Sequence, residues 1–159
     1  MSIPTVIGQV SSSQALMTTE LNSLANNALV ISSVNGTSGV FANVSGSGTG
    51  GYLYGRLVLF LSTFGSAPTA NSAIDVWFLV SADGTNYESG SASITPARPP
   101  DYSFPVIAQT AAQYVNGIVP LPITANYKVL VRNNATGQSL AATLNTLTLY
   151  PTTDVIPSI

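Results

Sequence analysis

The stretch Val80–Gly90, VSADGTNYESG, concentrates side chains that could do chemistry. It holds the carboxylates of Asp83 and Glu88, with the amide of Asn86 and the ring of Tyr87 between them. A calcium loop needs several oxygen ligands at close, regular spacing. Asp83 has few such neighbours, and Asn86 offers only a neutral oxygen. The spacing therefore disfavours a metal site.

The same stretch has a simpler interpretation as a chain reversal. An Asp-Gly pair between two apolar runs is typical of a two-residue β-hairpin, whose type I′ turn needs positive φ at both central residues. Asp tolerates that conformation and Gly adopts it freely. We predict a hairpin turn at Asp83 and Gly84 that fixes the register of IDVWFLVS and a returning NYESGSASI.

Residues for catalysis are scarce in this chain. Cysteine and histidine are absent, which excludes thiolate chemistry, Ser-His-Asp triads and the commonest metal ligand. Glycosidases need two carboxylates that face each other, and no two of the acidic residues form a recognised motif: Glu20, Asp75, Asp83, Glu88, Asp101 and Asp154. We expect no catalytic residue, no cofactor and no bound metal, and hence no enzyme.

Aromatic residues offer a different chemistry, the stacking of sugar rings. Trp77 with Tyr52, Tyr54 or Tyr87 could form such a platform on a sheet face, as carbohydrate-binding modules do. The alternative, which we favour, is that Trp77 fills the core or an interface. Trp77, Tyr87 and Tyr52 are thus candidate contacts for a partner or a glycan.

Composition narrows the class of protein further. Charged residues make up 6% of the 159 residues, against about 25% in ordinary domains. Low charge leaves little repulsion between copies, so we expect a protein that is assembled with itself or with a larger body. Four scattered basic residues are too few for a nucleic-acid surface. No run of about 18 apolar residues predicts a membrane span, and the first residues do not resemble a signal peptide.

Periodicity predicts an all-β domain behind a short helix. Residues 1–12 are predicted as an extended arm, and 13–159 as one domain. Met17, Leu21, Leu24 and Ala28 share a helical face and predict a helix at about 13–27. About eight strands follow at short, turn-punctuated spacing, which is typical of an antiparallel β-sandwich or jelly roll.

Individual strands can be placed from their patterns. YLYGRLVLFL is apolar on both faces in its second half and predicts a central, covered strand. The proline-rich TPARPPDYSFP is excluded from the middle of a sheet and predicts a loop or edge segment. AAQYV and IVPLPI predict two short strands around an Asn116-Gly117 turn. The Gly- and Ser-rich composition of residues 45–51 predicts a flexible loop.

The order of these features resembles small virion proteins of tailed bacteriophages, including head decoration (cement) proteins. The resemblance covers roughly 16–150 and rests on MTTELNSLANNALVISS, the LVSADGTNYE hairpin, RPPDYSFP and ITANYKVLVRNN. The hairpin positions that match are Leu79, Ser81, Asp83, Gly84, Thr85, Asn86, Tyr87 and Glu88. A related hairpin also occurs in discoidin-like jelly rolls, so that motif by itself indicates a β-sandwich.

The resemblance implies a non-enzymatic capsid decoration protein. Such a protein is assembled in the host cytoplasm, lies on the virion surface, binds the major capsid protein and bridges its subunits; homo-oligomers, commonly trimers, are implied. The alternative is a carbohydrate- or receptor-binding module of a phage tail or baseplate. Neither nucleic acid nor membrane is an expected partner.

Overall fold

The computed structural model describes residues 9–10, 13–33, 40–42, 52–122 and 126–153. These residues form an all-β protein and contain no helix. The strands are β1 (Gln9–Val10), β2 (Gln14–Met17), β3 (Leu29–Ile31), β4 (Val40–Ala42), β5 (Tyr54–Leu61), β6 (Ala73–Ser81), β7 (Tyr102–Pro105), β8 (Gln113–Pro120), β9 (Asn126–Asn134) and β10 (Thr146–Thr153).

The strands form two antiparallel sheets. In the first sheet the order is β1-β10-β5-β8, and β2 also pairs with β10. In the second sheet the order is β3-β9-β6-β7, and β4 also pairs with β9. The two long central pairs, β5 with β10 and β6 with β9, are flanked on one side by the short strands β1 to β4.

The pairings follow a nested pattern along the chain. If β1 and β2 count as one interrupted strand, and β3 and β4 as another, the first strand pairs with the last and the second with the last but one. β5 then pairs with β8, and β6 with β7. The chain is therefore one long antiparallel hairpin whose two arms contribute to both sheets.

Alternation along the strands builds the core. Leu57, Leu59 and Leu61 of β5 are fully buried, while Val58 and Phe60 between them face the other way. Both sheets contribute to one hydrophobic cluster, which includes Leu57, Leu59, Leu61, Ile74, Val76, Phe78, Val129, Val131, Leu147 and Leu149. β6 alternates in the same way: Ile74, Val76 and Phe78 face this core, whereas Trp77 and Leu79 point away from it and form a second cluster with Leu130.

The helix predicted at 13–27 is wrong. Gln14–Met17 form β2, and the residues after it form successive turns. One of these turns is closed by a hydrogen bond from the Asn22 N–H to the Thr19 carbonyl. Ser23 and Asn27 have φ of 58° and 62°, which a continuous helix does not allow. The apolar residues at helical spacing are buried all the same, but by turns.

Asparagine side chains explain why turns replace the helix. The Oδ1 atoms of Asn22, Asn26 and Asn27 accept hydrogen bonds from the backbone N–H groups of Asn145, Gly137 and Ala135 respectively. Short polar side chains that bond backbone groups compete with helical hydrogen bonding. The segment is thus tied to the loop between β9 and β10.

The turn predicted at Asn116-Gly117 is also wrong, because both residues lie inside β8, which pairs with β5 along its whole length. Gly117 faces the ring of Tyr102 from β7 so closely that a Cβ atom there would overlap it. The glycine therefore allows close packing between strands of the two sheets. By contrast, the edge position predicted for the proline-rich segment is confirmed by β7.

Several predictions fall outside the described residues. Of the arm at 1–12, only Gln9–Val10 are described, and they pair with β10. The loop predicted at 45–51 lies outside the described residues, and the domain boundary at residue 12 stays a prediction. Within the described part of the chain, no helix has the length and apolar character needed to cross a membrane.

Candidate functional site

The Asp83-Gly84 loop is organised by the Asp83 carboxylate. Its Oδ1 accepts hydrogen bonds from the backbone N–H groups of Thr85 and Asn86 and from the Ser81 hydroxyl, at 2.7–2.9 Å. The Asn86 N–H first, and then that of Thr85, hold the pKa of Asp83 far below its usual range. This carboxylate is occupied by its own loop rather than open to a ligand.

The loop differs from the predicted type I′ turn. Gly84 has φ of +75°, as expected, but Asp83 is not among the residues with positive φ. The chain does reverse here, since the Glu88 N–H donates to the Val80 carbonyl at 3.0 Å. The returning residues do not continue as a strand; the bridge found among them joins Ser91 to Ile94.

Of the four aromatic residues predicted as a stacking platform, Trp77 and Tyr52 are buried, Tyr87 is half-buried and Tyr54 is exposed. Trp77 is 3% exposed and donates its Nε1–H to the Arg98 carbonyl, and Tyr52 belongs to the main core. Tyr87 is half-buried, and Lys128 Nζ lies 4.4 Å from the centroid of its ring. The structure does not leave the Trp77 ring open for stacking, so this residue packs, as the favoured interpretation held.

Two acidic residues that the sequence left unrelated meet at Arg98. Its Nε donates to Glu88 at 2.6 Å and its Nη1 to Asp101 at 2.8 Å. The other Asp101 oxygen accepts the Phe78 N–H at 2.6 Å, and Arg98 Nη2 donates to the Phe78 carbonyl at 2.9 Å. Side chains of Arg98 and Asp101 thus satisfy the backbone of β6 beyond the point where β7 stops pairing.

This ion cluster lines a cleft of about 400 Å³ between the end of β8 and the edge of β6. Its walls are Phe78, Val80, Glu88, Arg98, Asp101, Pro120, Leu121 and Pro122. All three charged groups already have protein partners, so their interactions stabilise this edge of β6 and leave no charged group free for a ligand. In the described residues there is no group of three or more His, Cys, Asp or Glu that could hold a metal ion.

The outer face of the first sheet carries four of the nine large hydrophobic side chains that are exposed in the described structure. Four of its large side chains are open to solvent: Tyr114 at 75%, Ile118 at 65%, Tyr54 at 43% and Tyr150 at 36%. We call this surface the tyrosine face, and it comprises Tyr54, Arg56, Val58, Phe60, Tyr114, Asn116, Ile118, Thr146, Thr148, Tyr150 and Thr152.

The register of β5 with its neighbours arranges these residues in rows. Ile118, Arg56 and Tyr150 form one row across three strands, and Tyr114 and Phe60 begin another, with ring centroids 4.4 Å apart. A shallow hollow of about 370 Å³ lies between Arg56, Val58, Tyr150 and Thr152.

Arg56 carries the charge of this face. The two ion pairs found among the described residues both belong to Arg98, so Arg56 has no acidic partner there. Exposed tyrosines around an arginine are the composition of protein-binding hot spots. The tyrosine face is therefore the candidate functional site.

Sequence reasoning missed this face for two reasons. The apolar second half of β5 predicted cover on both sides, and the Asn-Gly pair divided β8, which hid the alternation of Tyr114, Asn116 and Ile118. With β8 taken as one strand, that alternation would have marked the face.

Comparisons with known proteins add no assignment: no family model, no curated protein and no solved structure matches this chain.

Proposed function

We infer that the two sheets form an eight-stranded jelly-roll sandwich. With β1/β2 and β3/β4 counted as single strands, the sheet orders are first-eighth-third-sixth and second-seventh-fourth-fifth. A long hairpin rolled around a shared core gives this nested order, and the shared hydrophobic cluster supports the face-to-face packing. Jelly rolls are frequent in viral capsid and lectin domains.

On this fold we propose a non-enzymatic virion protein that decorates a phage capsid and bridges its subunits. The observation that carries the proposal is the tyrosine face, whose four exposed large side chains share one sheet surface with Arg56, an arginine that has no acidic partner among the described residues. Monomeric proteins rarely leave a large contiguous apolar patch open without a partner. The virion assignment itself comes from the sequence resemblance, which this face and this fold support.

The chemistry of the face defines the partner's surface. Tyr114, Tyr150 and Ile118 need an apolar counterpart, and Arg56 needs a carboxylate opposite it, because burying an unpaired charge is costly. We propose an apolar patch with an acidic residue on the outer surface of the major capsid protein.

The absence of catalytic chemistry is part of the proposal. The chain has no histidine or cysteine, and hydrogen bonds within the protein occupy the carboxylates of Asp83, Glu88 and Asp101. These groups stabilise loops and a sheet edge, which suits a rigid structural protein.

Copy number in purified particles tests the proposal. Quantitative mass spectrometry of virions whose genome encodes this chain should find it in numbers comparable to the coat protein. A few copies per particle would move it to the tail, and absence from particles would refute a virion role.

Binding to particles that lack the protein tests the tyrosine face. Arg56→Glu and Tyr150→Ser should each weaken binding at least tenfold, about 1.4 kcal/mol, because they reverse the charge or remove an anchor. Leu144→Ser is the matched control, since Leu144 is 66% exposed and lies outside the face. Equal binding by all variants would exclude this surface.

A carbohydrate- or receptor-binding module of a tail or baseplate is the second candidate. The exposed rings of Tyr54, Tyr114 and Tyr150 favour it, because sugars stack on open aromatic faces. Glycan-array binding that disappears in Tyr150→Ser and persists in Leu144→Ser would support this function over decoration.

A further inference from the structure

β8 is the longest strand edge that lacks a partner within the described residues. It spans Gln113–Pro120 and pairs there with β5 alone. The opposite side of the first sheet ends in the short strands β1 and β2, and the second sheet ends in β3, β4 and the four-residue β7. Short edge strands limit pairing with other chains, whereas a long one permits it.

The backbone groups that face this open edge can be identified. Just after β8, the Leu121 N–H donates to the Leu53 carbonyl on the β5 side at 2.9 Å. Because antiparallel strands alternate bonded and non-bonded positions, the odd-numbered residues of β8 bond to β5 and the even-numbered ones point outward. The outward residues are Tyr114, Asn116, Ile118 and Pro120.

Proline at the end of this row agrees with that assignment. Pro120 has no N–H, and proline within a sheet is found where its nitrogen faces the open side. Pairing along the edge can therefore use Tyr114, Asn116 and Ile118 in full and ends at Pro120.

Nothing in the strand repels a second strand. Gln113–Val119 contain neither a charged residue nor a proline, the residues that usually protect an edge, and Pro120 blocks pairing only at the strand's end. Elsewhere the protein does protect its edges: Arg98 and Asp101 bond the backbone of Phe78 where β7 stops. The unprotected edge of β8 stands in contrast to that arrangement.

We propose that β8 pairs antiparallel with β8 of a second copy, around a two-fold axis at Asn116. In this register Tyr114, Asn116 and Ile118 of each copy donate and accept backbone hydrogen bonds with Ile118, Asn116 and Tyr114 of the other. The two first sheets become one continuous sheet, and their tyrosine faces join.

Self-complementarity is the reason for choosing a second copy as the occupant. A two-fold contact requires that each residue meet its counterpart in both directions. Here Tyr114 lies opposite Ile118 twice, an aromatic and β-branched pair of the kind that stabilises sheets, and Asn116 meets its own copy. Shifting the centre to Gly117 would place Tyr114 opposite Pro120, which cannot donate.

Hydrogen exchange and sedimentation velocity test the proposal on the purified full chain. We expect a concentration-dependent dimer, in which the amides of Tyr114, Asn116 and Ile118 are protected, while dilution exposes them. The amides of Val115 and Gly117 bond to β5 and should stay protected at every concentration. A monomer at all concentrations, or a trimer, would overturn the proposal.

Asn116→Pro removes the two central hydrogen bonds without touching the bonds to β5, and should weaken the dimer at least about tenfold. Asn116→Lys, which places two cations against each other, should do the same if the proline variant does not fold. Ile107→Lys is the control, because Ile107 is 60% exposed and lies outside the strand. A dimer that both Asn116 variants leave intact would refute the pairing. These measurements need no virion, so their failure leaves the capsid-binding proposal to its own assay.

Discussion

Asp101 and Phe78 are joined by a 2.6 Å hydrogen bond in which a side chain takes the place of a neighbouring strand. Phe78 is 2% exposed, and its N–H loses its protein acceptor if the carboxylate is removed. We expect Asp101→Ala to lower the free energy of unfolding by about 1–2 kcal/mol, the cost of a buried, unsatisfied donor. Urea denaturation measures this loss.

Asp101→Asn is the matched control, since its amide oxygen can still accept the Phe78 N–H while the ion pair with Arg98 is lost. It should cost clearly less than the alanine variant, because a partly exposed ion pair contributes at most about 1 kcal/mol. Equal losses would mean that the charge, and not the backbone bond, stabilises this edge.

Gly117 of β8 and Tyr102 of β7 are in close contact between the two sheets, so the effect of a substitution at one should depend on the residue at the other. Gly117→Ala should destabilise the protein by about 1–3 kcal/mol, because the added Cβ overlaps the tyrosine ring. In a Tyr102→Leu background the same substitution should cost much less, and a double-mutant cycle from thermal denaturation measures the difference. Additive effects would contradict the close contact.

The long strands could be predicted from sequence because their signal is local. β5, β6 and β9 carry alternation or apolar runs that tertiary contacts reinforce. The helix at 13–27 failed because its apolar spacing fits turns as well. Its asparagines favour turns because they accept hydrogen bonds from backbone N–H groups in 135–145. These partners lie more than a hundred residues away in sequence, so a local pattern could not reveal them.

The candidate site was less predictable for a related reason. Whether an apolar strand face is buried depends on what covers it, and alternation alone does not reveal cover. Trp77 on the outer face of the second sheet is covered, whereas Tyr150 and Tyr114 on the outer face of the first are exposed. Likewise, Glu88, Arg98 and Asp101 have no recognisable spacing, since their cluster exists only around the edge of β6.

Glu20 predicts a specific acid sensitivity. Partial burial raises the pKa of its carboxyl group, but hydrogen bonds from the N–H groups of Ser33, Thr19 and Thr18 outweigh burial and lower the pKa from 4.5 to about 2. A carboxylate with a lowered pKa stabilises the folded state above its unfolded pKa, and this contribution disappears as the pH falls through the folded value.

Glu20→Gln should therefore melt about 2–4 °C lower than the wild type near neutral pH, for a loss of about 1 kcal/mol at this solvent-accessible group. The gap in melting temperature should close as the pH falls from 4.5 to about 2. A gap that is constant over this range would show that the charge of Glu20 is not responsible.

Fluorescence can test whether Trp77 is a packing residue or a ligand contact. Trp77 is the single tryptophan of the chain, so the tryptophan emission comes from this residue alone. Because it is 3% exposed, its fluorescence should resist quenching by acrylamide and should not respond to added sugars.

Trp77→Ala should destabilise the protein by about 3–5 kcal/mol, the range for a large aromatic side chain removed from a packed cluster. Trp77→Phe should cost less, since it keeps part of the contact with Leu79 and Leu130 but loses the bond to the Arg98 carbonyl. Strong acrylamide quenching, or a sugar-dependent spectrum, would instead place the ring in a binding surface.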